Sequence, residues 1–335
     1  MNSKAIITGV TGQDGFYLSR WLLSLGYEVI GIRRRKANPT TADERMERLR
    51  DTVPNFHLVD GDITDMSSIM SVMSIFEPDE FYHLAAQSHV GKSWGMAGAT
   101  LQITGIGTYN CLEAVRRVRP DCHFYFAGSS EQFGNTGLGS TVLDETSAMH
   151  PESPYAAAKV LGYNLAQVYR HSYDMFVSCG ILFNHESPIR GEEFVTRKIT
   201  SQLARIKSGT QKKLSLGNIY ATRDWGFAGD YVKAMHAMLH IDEPGDFVIA
   251  TGENHSVGEF LDLACDFYDL NREEVLDIDP SMMRPQDVQD LLGDASRAKR
   301  LLGWEPETTF NGLVETMCEF DLANQVNSMM AEELL

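Results

Sequence analysis

Tyr155 and Lys159 stand four residues apart in "SPYAAAK" (153–159), which puts both on one face of a helix. Ser153 and Pro154 are residue types that start helices. An ammonium beside a phenol favours the phenolate and lowers the tyrosine pKa. A phenolate can take the proton from a hydroxyl group while hydride leaves the same carbon. A surface helix can carry the same pair by chance, so its neighbours decide its meaning. Ser129 and Glu131 lie upstream in "AGSSEQFG" (127–134), directly after the apolar run "HFYF". Two serines suit a turn, but a carboxylate at the mouth of a buried strand needs a further reason.

These residues need a frame. "KAIIT" (4–8), "EVIGI" (28–32), "FHLVD" (56–60), "EFYHLAA" (80–86), "HFYFAG" (123–128) and "FVSCGIL" (176–182) are apolar runs of strand length. Helical periodicity fills 13–25, 66–76, 100–118 and 155–173 between them. In the first of these, Leu18, Trp21, Leu22 and Leu25 share a face that ends at Gly26. The alternation predicts an α/β fold, a doubly wound parallel sheet of Rossmann type covered on both faces. After residue 183 the pattern loosens, and "DFVIATG" (246–252) is a candidate returning strand. The expected division is a dinucleotide-binding domain over 1–182, with returning segments near 215–252 and 288–305. A smaller substrate domain is interleaved with it over 183–214, 253–287 and 306–330.

"TGVTGQDG" (8–15) joins the first strand to the first helix and carries Gly9, Gly12 and Gly15. Glycines alone could make a plain tight turn. Between strand and helix they predict a cradle for a pyrophosphate at the helix N-terminus, with Thr11, Gln13 and Asp14 completing it. The second strand runs into "IRRRK" (32–36). An acid there would take the ribose of NAD; Arg33 and Arg34 instead favour the 2′-phosphate of NADP. A solvated basic loop is the competing reading. Asp62 of "GDITD" (61–65) is placed to accept from the adenine amino group, with Ile63 packing on the ring. Leu84, Ala85, Ala86 and Ser88 of "LAAQS" (84–88) would line the cofactor. Lys159 can hold the nicotinamide ribose.

Composition narrows the partners. The 335 residues hold 46 acidic and 29 basic side chains, a net charge of −17. That weighs against nucleic acid or an anionic membrane as partner. No apolar run approaches the roughly 20 residues of a membrane span, and "AIITGV" is too short for a signal peptide. Cys111, Cys122, Cys179, Cys265 and Cys318 have no metal-knuckle spacing. They predict buried reduced thiols in a cytoplasmic protein, with no metal site.

The glycine loop, the hydroxyl at 129 and Tyr155-x-x-x-Lys159 together resemble the extended short-chain dehydrogenase/reductase family. Glu131, two positions after Ser129, is similar to the acid of the nucleotide-sugar 4,6-dehydratases within it. "GILFNHESPIRGEEFVTRKIT" (180–200), "LGN…RDWGFAGDYV" (216–232) and "MRPQDVQDLLGD" (283–294) resemble the GDP-mannose 4,6-dehydratases over almost the whole chain. The resemblance implies NADP, a GDP-sugar substrate and a dimer or tetramer. It implies that Tyr155 takes the proton from the hydroxyl on carbon 4 and that Glu131 takes the proton on carbon 5 and assists loss of water. Ser129 would hold the developing oxyanion. His185 and Arg190 would contact the cofactor. Asn184, Lys198, Gly217, Arg223 and Arg284, with Ser88 and Glu131, would hold the nucleotide sugar, and Asp287 its ribose.

Ala99, Glu152 and the loop "KANPTTADERMERL" (36–49) depart from the pattern. They motivate a related substrate such as GDP-manno-heptose as an alternative. A GDP-4-keto-6-deoxymannose reductase is a further alternative, but that chemistry does not need Glu131. A non-catalytic NADP sensor would need the glycines and arginines without the set Ser129, Tyr155 and Lys159.

Overall fold

Seven short apolar runs pair edge to edge as a single parallel sheet. The computed structural model describes residues 2–35, 37–135, 142–282 and 291–333. The strands are β1 (Lys4–Thr8), β2 (Glu28–Arg33), β3 (Phe56–Asp60), β4 (Glu80–His83), β5 (His123–Ala127), β6 (Val177–Leu182) and β7 (Asp246–Ile249). Their order across the sheet is β3-β2-β1-β4-β5-β6-β7, all parallel. This is the expected doubly wound arrangement, and the run at 246–252 does return to it beside β6.

The strand pleat divides the core in two. Ile6, Phe81 and Phe124 are buried on one face, and their neighbours Ile7, Tyr82 and Tyr125 on the other. Helix α1 (Gln13–Ser24) covers the second face with Leu18 and Leu22. Helix α2 (Thr41–Thr52) follows β2, where the sequence suggested a loop over 36–49. Its buried side chains are Asp43 and Met46, so it has no apolar stripe to betray it. The signal it does carry is the capping box of Thr40 and Asp43: the Thr40 N–H donates to Asp43 Oδ2 at 2.8 Å.

Helices α3 (Met66–Phe76), α4 (Gly107–Val118) and α5 (Pro154–Tyr173) cover the first face through Ile69, Met73, Leu112, Val115, Tyr163 and Ala166. A π-helical turn, Leu101–Ile106, leads into α4. Beyond the sheet, helices α6 (Val195–Lys207), α7 (Ala228–Ala237), α8 (Val257–Tyr268) and α9 (Phe310–Glu333) follow. Helix α7 returns to the second face with Tyr231 and Met235. Helices α6, α8 and α9 enclose a third core built on Leu203, Trp225, Phe260, Phe310 and Met317. All five cysteines are buried and unpaired. Among the described residues no helix is long and apolar enough to cross a membrane, and no group of three or more His, Cys, Asp or Glu is placed to hold a metal.

Candidate active site

The strand order reverses between β1 and β4, and ligands of such sheets bind outside the carboxyl ends of the strands at that point. A cavity of about 510 Å³ opens there, walled by the ends of β4, β5 and β6 and by segments from the third core. Asp14, at the end of the glycine turn, reaches its wall. Gly9 has φ +71°, and a Cβ on it would lie 2.8 Å from the Ala85 nitrogen. A Cβ on Gly15 would lie 2.5 Å from the Gly9 oxygen. Gly12 caps α1 with no side-chain bond to the first turn. A bare helix start with close backbone approach fits a pyrophosphate.

The expected cofactor residues fall into three groups. Asp14, Leu84, Ala86, Ser88, Tyr155, Lys159, His185 and Arg190 line the cavity. Gly9, Thr11, Gly12, Gln13 and Gly15 form the turn, and Ala85 abuts it, its N–H donating to Thr8 Oγ1 at 3.3 Å. Arg33 ends β2, Arg34 follows it, and Asp62 and Ile63 follow β3, farther along the sheet edge. Arg33 is committed: its Nε donates to Asp60 at 3.0 Å and its Nη1 pairs with Glu47. Arg34 is exposed. Asp62 Oδ1 accepts from the Thr64 N–H at 2.9 Å and the Thr64 hydroxyl at 2.8 Å. Ile63 packs into the core against Gly107, with its Cδ1 2.7 Å from where a Cβ would stand.

Ser129, Glu131, Tyr155 and Lys159 converge on the cavity. Strand β5 ends at Ala127, and a single 3₁₀ turn, Ser130–Gln132, follows. The Ser129 N–H donates to Gln132 Oε1 at 2.7 Å, and the Glu131 N–H donates to Ser129 Oγ at 3.3 Å. This turn presents Glu131 at the strand's mouth, where it lines the cavity. Ser153 caps α5 through the Ala156 N–H at 3.1 Å, which sets Tyr155 in its first turn.

The electrostatics correct one expectation. Burial pushes the Tyr155 phenol up to about 12, against the Ser129 hydroxyl and Arg190, which pull it down. Glu131 and Asp14 add to the rise. Lys159 therefore does not bring the phenol into the neutral range. Its ammonium lies 5.8 Å from the centre of the Tyr155 ring and donates to the Ala127 carbonyl at 2.6 Å. Burial lowers Lys159 itself to about 8, with Asp14 opposing.

His185 and Arg190 stand in the cavity wall. His185 Nδ1 faces the Phe183 carbonyl at 2.7 Å, and its Nε2 faces Asp14 Oδ2 at 2.9 Å. Its ring stacks on Tyr231 with centroids 4.7 Å apart. Burial would raise Asp14, but the charge and hydrogen bond of His185, with Gln13 and Arg190, bring it down to about 2. Burial pulls His185 down, yet Asp14 raises it above the ordinary histidine value. Gln13 points away from the cavity: its Nε2 donates to the His185 carbonyl at 3.0 Å and its Oε1 accepts from Ser187 at 2.7 Å. The Arg190 guanidinium lies 3.7 Å over the Phe194 ring, and its Nε is 3.2 Å from Glu186 Oε2.

On the third-core side, Asn184, Lys198, Gly217 and Arg223 line the same cavity. Burial lowers Lys198, with Asp279 opposing. Arg223 is buried and its Nη1 donates to the Thr222 carbonyl at 2.7 Å. Arg284 and Asp287 lie outside the described residues. Sequence reasoning missed Glu186, whose only signal is its spacing of four from Arg190. It also missed His83, held between Thr8 Oγ1 at 2.9 Å and Thr108 Oγ1 at 3.0 Å and lowered by burial to about 3. His89 and Glu193 line the cavity as well.

The comparisons add a family pattern to this geometry. The family model described as GDP-mannose 4,6 dehydratase matches residues 6–317. An Arabidopsis thaliana protein named GDP-mannose 4,6 dehydratase 1 is 47% identical over 330 residues, covering 95% of this chain and 89% of the relative. The human GDP-mannose 4,6 dehydratase is 41% identical over 344 residues, covering 95% and 91%. A solved dTDP-glucose 4,6-dehydratase from Bacillus anthracis, in complex with NAD, superposes with a TM-score of 0.84 at 19% identity, covering 97% of this chain and 98% of that one. The structure of RMD from Pseudomonas aeruginosa complexed with NADPH gives 0.80 at 22% identity, covering 96% and 100%.

Proposed function

This chain belongs to the GDP-mannose 4,6-dehydratase family, and on that premise we propose that it converts GDP-mannose to GDP-4-keto-6-deoxymannose with bound NADP. The observation that carries the reading is Glu131, set beside Ser129 and Tyr155 in one cavity. Simple hydride transfer has no use for that second acid. Relatives at 40–47% identity bear the GDP-mannose name, which favours this sugar over the heptose and reductase alternatives.

The glycine turn and the start of α1 would hold the pyrophosphate of the dinucleotide, and Arg34 its 2′-phosphate. A nicotinamide dinucleotide supplies a hydride acceptor for carbon 4 and the hydride that later fills carbon 6. Tyr155 takes the proton of the carbon 4 hydroxyl, and Ser129 donates to the oxygen as it becomes a carbonyl. The new ketone acidifies the neighbouring carbon 5. Glu131 takes that proton and passes it to the hydroxyl leaving carbon 6 as water. Carbon 5 then regains a proton, which balances the one Tyr155 removed. Lys159 holds its ammonium near this chemistry, and Lys198 and Arg223 would take the diphosphate of the sugar nucleotide.

The segments 183–214, 253–287 and 306–330 would form the substrate-holding part, around the third core. A homo-oligomer is part of the same reading; Leu161, Val168 and Tyr173 leave apolar surface exposed on α5, which supports it. The test is direct: incubate the protein with GDP-mannose and NADP⁺ and weigh the product. A nucleotide sugar lighter by one water is expected. An active preparation that leaves the mass unchanged overturns the reading.

A further inference from the structure

Two residues of the glycine turn have their side chains turned toward protein. Gln13 bonds to the His185 carbonyl and the Ser187 hydroxyl, and Asp14 to the His185 ring. Three hydrogen bonds of 2.7–3.0 Å thus join the start of α1 to residues 185–187, more than 170 positions away in sequence. Both nitrogens of the His185 ring face acceptors, the Phe183 carbonyl on one side and a carboxylate on the other. A ring between two acceptors satisfies both only when it carries both protons. His185 therefore has no free donor left for a ligand.

We infer that Asp14 is a positioning residue: it fixes His185 as an imidazolium and clamps the glycine turn to the segment 183–187, so that the dinucleotide cradle is built before a ligand arrives. The inference rests on the reading that the turn holds NADP. It changes what Asp14 and His185 do there. His185 contributes a fixed positive charge rather than a hydrogen bond, and Asp14 offsets a charge that would otherwise stand alone. A carboxylate at the start of an anion-binding helix would by itself repel phosphate. Paired with His185, it costs the cradle no net charge.

Other charged groups face the pair. Arg190, from the loop after 184–186, acts on both partners. Lys159 and Tyr155 of α5 sense Asp14. The Tyr231 ring of α7 stacks on the His185 ring, and Glu186 acts on Tyr231. None of them replaces the direct bond from Asp14.

Asp14→Asn keeps the size of the side chain and removes its charge. In the variant, His185 gives up its second proton at a lower pH, because burial then acts with less opposition. NADPH affinity should fall about tenfold more between pH 6 and pH 8 in the variant than in the wild type, as one nearby charge is lost. The 2′-phosphate titrates alike in both, so the difference between the curves is the readout. Affinity is followed by nicotinamide fluorescence, and the ring by nitrogen NMR of histidine-labelled protein, with His185→Gln identifying the resonance. In the wild type both ring nitrogens should be protonated at pH 7. A singly protonated His185 in the wild type overturns the inference, whether or not the variant folds. Identical affinity curves for the two proteins overturn it too. A wild type with a doubly protonated His185 that binds no NADPH overturns the dinucleotide reading instead.

Discussion

The Lys159 ammonium donates to the Ala127 carbonyl oxygen at 2.6 Å, joining the catalytic helix α5 to the end of β5. A single residue, Gly128, separates Ala127 from Ser129. One bond therefore sets the distance between the helix that carries Tyr155 and the turn that carries Glu131. The ammonium is almost fully buried and stays charged at pH 7 only at a cost to the fold.

That cost is measurable. Burial depresses the folded pKa of Lys159 from 10.5 to about 8. The group carries no penalty above pH 10.5, loses stability progressively as pH falls from 10.5 to about 8, and is a constant burden below. The burden is roughly 3 kcal/mol, and losing the carbonyl bond returns about 1 kcal/mol of it. Lys159→Met should thus be about 2 kcal/mol more stable than the wild type at pH 7 while losing activity. Urea unfolding at pH 7 and at pH 10.5 should show the gap closing at the higher pH. A variant equally destabilised at both pH values would refute this.

The same two shifts shape the pH profile. With Tyr155 lifted to about 12, its phenolate fraction grows about tenfold per pH unit through neutrality. Lys159 loses its proton above about 8 and withdraws the positive charge. The expected kcat/KM for GDP-mannose climbs from pH 6 toward 8 and then flattens. Steady-state rates across pH 6–10 check it; a profile that falls between pH 6 and 8 contradicts the assignment.

Glu131→Gln separates oxidation from elimination. The variant should still reduce its nicotinamide in the presence of substrate, followed by absorbance. Release of the dehydrated product should drop by about 10²–10⁴-fold. Equal losses in both steps would move Glu131 from proton transfer to substrate binding.

Arg33 and Arg34 look alike in sequence and differ in the fold. Arg33 is held by Glu47 and Asp60, whereas Arg34 is exposed. Arg34→Ala should therefore weaken NADPH about tenfold and leave NADH unchanged. Arg33→Ala should mainly lower stability, by no more than about 1 kcal/mol for a pair this close to solvent. Fluorescence titrations with both dinucleotides decide which arginine reads the phosphate.

The sheet was legible because its strands are apolar runs that glycines and helices punctuate, and β1 and β3 fall on the expected residues. Helix α2 was not, because it buries little apolar surface and is held by its cap. In the site, Gly9, Tyr155 and Lys159 could be read from local spacing. The partners of Asp14 and Lys159 could not. One is 171 positions away and the other is a backbone carbonyl, which no side-chain pattern announces. Burial of Tyr155 is likewise a property of packing, so the direction of its pKa shift emerged only with the fold.

Strand β7 closes the sheet beside β6, yet about 60 residues of chain separate them. On the ribosome, at about 5–20 residues per second, β6 waits several seconds for its neighbour. During that interval the newly made chain offers a naked apolar strand edge to any other chain in the same state. Leaving the partner strand so late makes this edge the point at which a slow or stalled synthesis would first lead to aggregation, and where a chaperone would be needed.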